Sequence, residues 1–71
     1  MILLTRLDNS KVLINLETLK YIESTPDTLL SFVNGDTVMV RESLEEIDRR
    51  VIDYKVKLLK LADPSAPPAS N

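Results

Sequence analysis

The sequence predicts an α+β fold: a small twisted antiparallel sheet of about five strands, built from hairpins, with one C-terminal amphipathic helix. Three observations carry this. Short β-compatible runs fill the first 41 residues and are separated by turn-forming clusters. Asn34-Gly35 sits between two of these runs, where a hairpin turn is expected. From Ser43 onward the apolar spacing changes to 3 and 4, the period of a helix.

The elements follow in order. Ile2 to Leu7 reads as the first strand, and Asp8-Asn9-Ser10 as a turn whose short polar side chains bond their own backbone. Lys11 to Asn15 is the second strand, Leu16-Glu17-Thr18 a short turn, and Leu19 to Ser24 an alternating third strand. Thr25-Pro26-Asp27-Thr28 suits a type I turn, because Pro presets φ beside Asp. Leu29 to Val33 then forms a strand closed by Asn34-Gly35-Asp36, with Asn-Gly expected in the two positive-φ positions of a type I′ turn. Thr37 to Arg41 is the last strand, Val38 and Val40 on one face and Met39 on the other. Ser43-Leu44-Glu45-Glu46 is a capping box, in which the hydroxyl bonds the Glu46 amide and the Glu46 carboxylate returns to the cap amide. The helix it starts carries a stripe of Leu44, Ile47, Val51, Tyr54, Leu58 and Leu61 for the sheet. Acidic residues lead it and lysines trail it, as the helix dipole favours. It is expected to end near Leu61, where Asp63-Pro64 and a Pro/Ser/Ala-rich run begin. One domain over residues 1–61 and a disordered tail over 62–71 are therefore expected.

Composition narrows the function. The chain has 71 residues, no His, no Cys and one Gly, so no zinc cluster, Cys nucleophile, imidazole base or phosphate-cradling glycine loop can be assembled from it. No cofactor or metal is expected, and no enzyme. The carboxylates Glu42, Glu45, Glu46 and Asp48 gather at the helix start, where capping and dipole compensation account for them. Glu23 and Asp27 flank a turn and lack a third metal ligand. No apolar run approaches the roughly 20 residues of a membrane span, and the opening apolar stretch is too short for a signal peptide, which reads as a soluble cytoplasmic protein.

Two surfaces invite partners. A domain this small buries only about 60% of its unfolded surface, and self-association is the usual remedy without disulfides or metal. The helix carries a second apolar stripe, Ile52, Val56 and Leu59, turned by roughly 100° to 140° from the first. It reads either as a broader core-facing surface or as an interface with another copy or partner, and the marginal size favours the interface. The other surface is basic. Arg6 and Arg41 end the first and last strands, with Arg49, Arg50, Lys11 and Lys20 nearby. Together they would contact nucleic acid only if they converge on one edge, and the net charge of −2 with three aromatics favours a solvated face instead. Tyr21 and Tyr54 lie on apolar patterns and read as core or interface residues with a wet hydroxyl.

The opening Met1-Ile2-Leu3-Leu4-Thr5-Arg6-Leu7, the blocks Tyr21-Ile22-Glu23-Ser24-Thr25-Pro26-Asp27-Thr28 and Val40-Arg41-Glu42-Ser43 with Glu45-Glu46, and Tyr54-Lys55 resemble the small flagellar FlbD family, SwrD-like swarming motility proteins among them. The resemblance runs from Met1 to about Leu59. It implies a cytoplasmic, non-enzymatic accessory of the flagellum that promotes motor power and swarming through protein contacts at or upstream of the stator units. Two other likenesses supply the alternative, a small nucleic-acid-binding regulator. Met1 to Arg6 with Val38 to Arg41 looks like the carbon-storage regulator CsrA, in which Arg6 and Arg41 would contact RNA, although the glycine-rich middle is missing. The stretch from Leu19 to Leu44 looks like the strand core of LytTR DNA-binding domains, without their basic C-terminal half.

Overall fold

A computed structural model describes residues 1–62 of the chain; the tail expected over 62–71 lies, from residue 63, outside the described residues. Five antiparallel strands and one C-terminal helix form the α+β arrangement that the sequence predicts. They run β1 (Ile2–Thr5), β2 (Lys11–Ile14), a single 3-10 turn (Leu16–Thr18), β3 (Leu19–Ser24), β4 (Thr28–Phe32), β5 (Thr37–Val40) and α1 (Leu44–Ala62). The strands divide into two sheets, a β1-β2 hairpin and a β3-β4-β5 meander. An isolated antiparallel bridge, Arg6 to Val40, joins them.

Alternation places the core. In the hairpin, Ile2 pairs with Ile14 and Leu4 with Val12 facing inward, while the intervening Leu3–Leu13 pair faces out and is exposed. In the meander, Ile22, Leu30 and Val38 form one row across three strands, and Thr28 and Val40 the next, toward the same interior. Met39 points the other way and is exposed. Ile2, Leu4, Ile14, Leu30, Val40 and Ile47 make the buried cluster, so both sheets and the first turns of α1 share one core.

The turns differ from the expected types for a definable reason. At Asn34-Gly35 only Gly35 has positive φ, +92°, so the turn is not type I′. Gly35 N–H donates to Phe32 O (3.0 Å) and Phe32 N–H to Asp36 O (2.9 Å), which makes a three-residue connection with its last residue left-handed. The β1-β2 connection repeats this design. Asn9 N–H donates to Arg6 O (2.9 Å), Arg6 N–H to Ser10 O (2.8 Å), and Asn9 takes φ +72° where Gly35 stands in the other loop. Both loops carry an acceptor at the same place: Asp8 Oδ1 takes Ser10 N–H at 2.9 Å, and Asn34 Oδ1 takes Asp36 N–H at 3.0 Å. Between β3 and β4 the expected hairpin forms around a cis Thr25–Pro26 peptide, not the type I turn. Asn15 caps the 3-10 turn, its Oδ1 accepting from Glu17 N–H at 3.0 Å. At the helix start Ser43 Oγ accepts from Glu46 N–H (3.1 Å), as the capping box requires, but the Glu46 carboxylate takes the Ser43 hydroxyl (3.3 Å) and not the Ser43 amide.

The helix is longer than what it packs on. Nineteen residues at about 1.5 Å each make it about 28 Å long, whereas a four-residue strand spans about 13 Å. Of the predicted core stripe, Ile47 is buried and Val51 and Tyr54 are half-buried against the core, whereas Leu44, Leu58 and Leu61 are exposed.

Candidate interaction surface

The last turns of α1 carry a group of exposed apolar residues. Val56 is 41% exposed, Ile52 53%, Leu59 70% and Leu61 68%. Ile52, Val56 and Leu59 line the side of the helix away from Ile47, Val51 and Tyr54, so the second stripe is not a widening of this protomer's core. Exposed lysines at 55, 57 and 60 flank them. Beside the helix, Leu16, Leu19, Tyr21, Val51, Tyr54 and Leu58 border an open groove of about 650 Å³. Tyr54 packs there on the core, whereas Tyr21 is half exposed at the rim.

The structure does bring Arg6 and Arg41 together, since the Arg6–Val40 bridge sets their backbones side by side at the sheet junction. Both are exposed. The Arg41 guanidinium donates to Leu7 O, and Arg41 N–H to Thr5 O at 2.8 Å, so this side chain closes the junction. Arg50 acts similarly, its Nη1 donating to Leu3 O at 2.6 Å.

Glu42 is the residue whose role composition hides. Grouped by sequence with the capping acids, it instead lies 6% exposed between the sheets. Its Oε1 accepts Thr5 N–H at 2.8 Å and its Oε2 faces Arg50 Nη1 at 3.3 Å. Burial pushes the Glu42 carboxyl up, but the hydrogen bonds from Thr5 and its own backbone, with the Arg50 charge, outweigh this and hold it below the ordinary value. No sequence signal separates Glu42 from the other acids at the helix start, since its donors Thr5 and Arg50 are brought to it only by the packed fold. Asp8 is also lowered, by the Ser10 hydroxyl first and the Ser10 amide second, which reflects its turn.

Among the described residues no three His, Cys, Asp or Glu side chains gather to hold a metal, and no helix is long and apolar enough to cross a membrane. No buried side-chain nitrogen or oxygen there lacks a hydrogen-bond partner. What the surface offers is exposed apolar area along a helix.

No curated protein and no solved structure matches the chain. A family model does, that of FlbD, flagellar and swarming motility proteins, over residues 1–59. That span takes in both sheets and all but the last residues of the helix. The chain belongs to the FlbD family of flagellar and swarming motility proteins.

Proposed function

We propose that the protein is a non-enzymatic accessory of flagellar motility, which promotes motor power and swarming by binding other proteins, itself and components of the motor or stator among them. The observation that carries this reading is the exposed end of α1, where Ile52, Val56 and Leu59 stand clear of the core on a helix that outruns its sheets. A lone domain gains nothing from this surface, because exposed apolar area of this extent lowers solubility; a partner that covers it removes the cost. Membership of a flagellar family supplies the setting, and the cytoplasmic face of the motor is the location this reading requires.

The juxtaposition of Arg6 and Arg41 favours a second reading, a small nucleic-acid-binding regulator. Against it stand the net charge of −2 and the use of the Arg41 guanidinium on Leu7 O. One pair of measurements separates the two. Capture from flagellated cells with the wild-type chain and the Val56→Lys variant should recover motor or stator proteins with the first and lose them with the second. Titration with flagellar mRNA leaders at two salt concentrations should show no salt-dependent binding. Salt-dependent RNA binding abolished by Arg41→Ala, with no motor protein recovered, would overturn the proposal.

A further inference from the structure

The charges at the end of α1 are self-complementary in one antiparallel register. We propose that its second stripe pairs with the same stripe of a second copy in antiparallel, two-fold fashion; this rests on the self-association reading above and adds the geometry. Ile52, Val56 and Leu59 are spaced 4 and 3, so they occupy alternating core positions of a short helix-helix seam. Asp48 and Lys55 then flank one edge of the seam, Asp53 and Lys60 the other. All four are exposed, and none forms an ion pair within the chain among the described residues, where Arg50–Glu42 is the one pair present.

A parallel pair brings a residue on one edge to the partner residue five positions on, across the seam. Asp48 would meet the partner's Asp53, and Lys55 the partner's Lys60, like charge on like at both places. An antiparallel pair sets each edge against the same edge of the other copy. In the register that sets Val56 beside the partner's Leu59, Asp53 lies opposite the partner's Lys60, the two-fold axis repeats the pair, and Ile52 stands at the margin of the seam; the register that sets Ile52 beside Val56 would instead place Asp53 on Asp53 and Lys55 on Lys55 and is disfavoured. The helix dipoles also oppose, which favours the same orientation. The stripe lies on the side of α1 away from Ile47, Val51 and Tyr54, so two copies can join without either disturbing its own core.

Mass by light scattering over a concentration series, on the full chain and its variants, tests both levels. The wild type is expected to dimerise and Lys60→Asp to weaken the dimer about threefold, the scale of two exposed ion pairs. The double variant Asp53→Lys with Lys60→Asp should restore it. A parallel pair predicts the reverse for Lys60→Asp, which would then attract Lys55 of the other copy and tighten the dimer. Because the described chain has no Cys, Ile52→Cys gives a second readout. In the antiparallel register the two Ile52 positions lie about 16 Å apart along the seam, too far for a disulfide, so oxidation should leave this variant uncrosslinked. A dimer that Lys60→Asp tightens, or that Ile52→Cys crosslinks, overturns the antiparallel geometry alone. A wild-type chain that stays monomeric up to about 1 mM overturns the self-association reading with it.

Discussion

Thr5 and Glu42, 37 residues apart in sequence, meet across the junction of the two sheets, the Thr5 amide donating to the Glu42 carboxylate at 2.8 Å. The hairpin bonds alternate residues, and because Arg6 N–H bonds Ser10 O the neighbouring Thr5 amide turns away from β2 with no partner there, where an unpaired donor is costly. A carboxylate from the far side of the chain fills the gap. Replacing it with Ala should strand the Thr5 amide and loosen the Arg50 contacts. Denaturant unfolding of Glu42→Ala is expected to show a loss of about 2 kcal/mol. A loss below about 0.5 kcal/mol would mean that the Thr5–Glu42 bond does not hold the junction.

The same carboxylate sets a pH dependence. Its folded value lies below the ordinary 4.5, so its stabilisation is complete above the unfolded value and is lost as pH falls through the folded one. Thermal melts of the wild type should therefore fall as pH drops below about 4.5, more steeply than melts of Glu42→Gln, which has no proton to gain there. Parallel curves for the two proteins would remove Glu42 from the acid response.

The two matched loops make a paired prediction. Asn9 and Gly35 occupy equivalent left-handed positions, with φ +72° and +92°. Gly35→Ala meets no steric neighbour but must hold a conformation an L side chain resists, and should cost about 1 kcal/mol. Asn9→Gly relaxes the other site and should be neutral or stabilising by a few tenths of a kcal/mol, since Asn already tolerates this region. Chemical denaturation of both variants checks the sign difference.

Much of the fold is legible from residue types. The alternation of Val38, Met39 and Val40 predicts which sides face the core, and Ser43 with Glu46 marks the helix start. The length of a turn is not legible in this way. Asn34-Gly35 suits a two-residue turn equally well, and the three-residue form is chosen by where Phe32 and Asp36 pair. Nor does helical spacing reveal how far a sheet extends: Leu58 and Leu61 continue the period of Ile47, Val51 and Tyr54, yet Leu58 only borders an open groove and Leu61 is 68% exposed. Glu42 was hidden for a related reason, since its partners Thr5, Leu3 by way of Arg50, and Arg50 itself are gathered only by the meeting of two sheets. The second stripe could be seen in sequence, but the side of the helix it takes relative to the core follows only from the packed fold.

Exposure of the helix end predicts that charge is tolerated there by the fold. At concentrations where the wild type is monomeric, Val56→Lys and Leu59→Lys should each leave the thermal midpoint within about 2 °C of wild type, because no core contact is removed. Ile47→Ala, by contrast, should cost about 2 to 4 kcal/mol, as Ile47 is 2% exposed within the core. Differential scanning calorimetry of the three variants distinguishes a working surface from a structural one.

The most direct measurement is the swarm expansion rate of cells that carry the Val56→Lys, Leu59→Lys double variant in place of the wild-type chain, at equal protein level and with an unchanged melt in vitro. The exposed end of α1 being the surface through which the protein serves motility, swarming should be lost while the protein remains folded. Wild-type expansion by these cells would contradict the account.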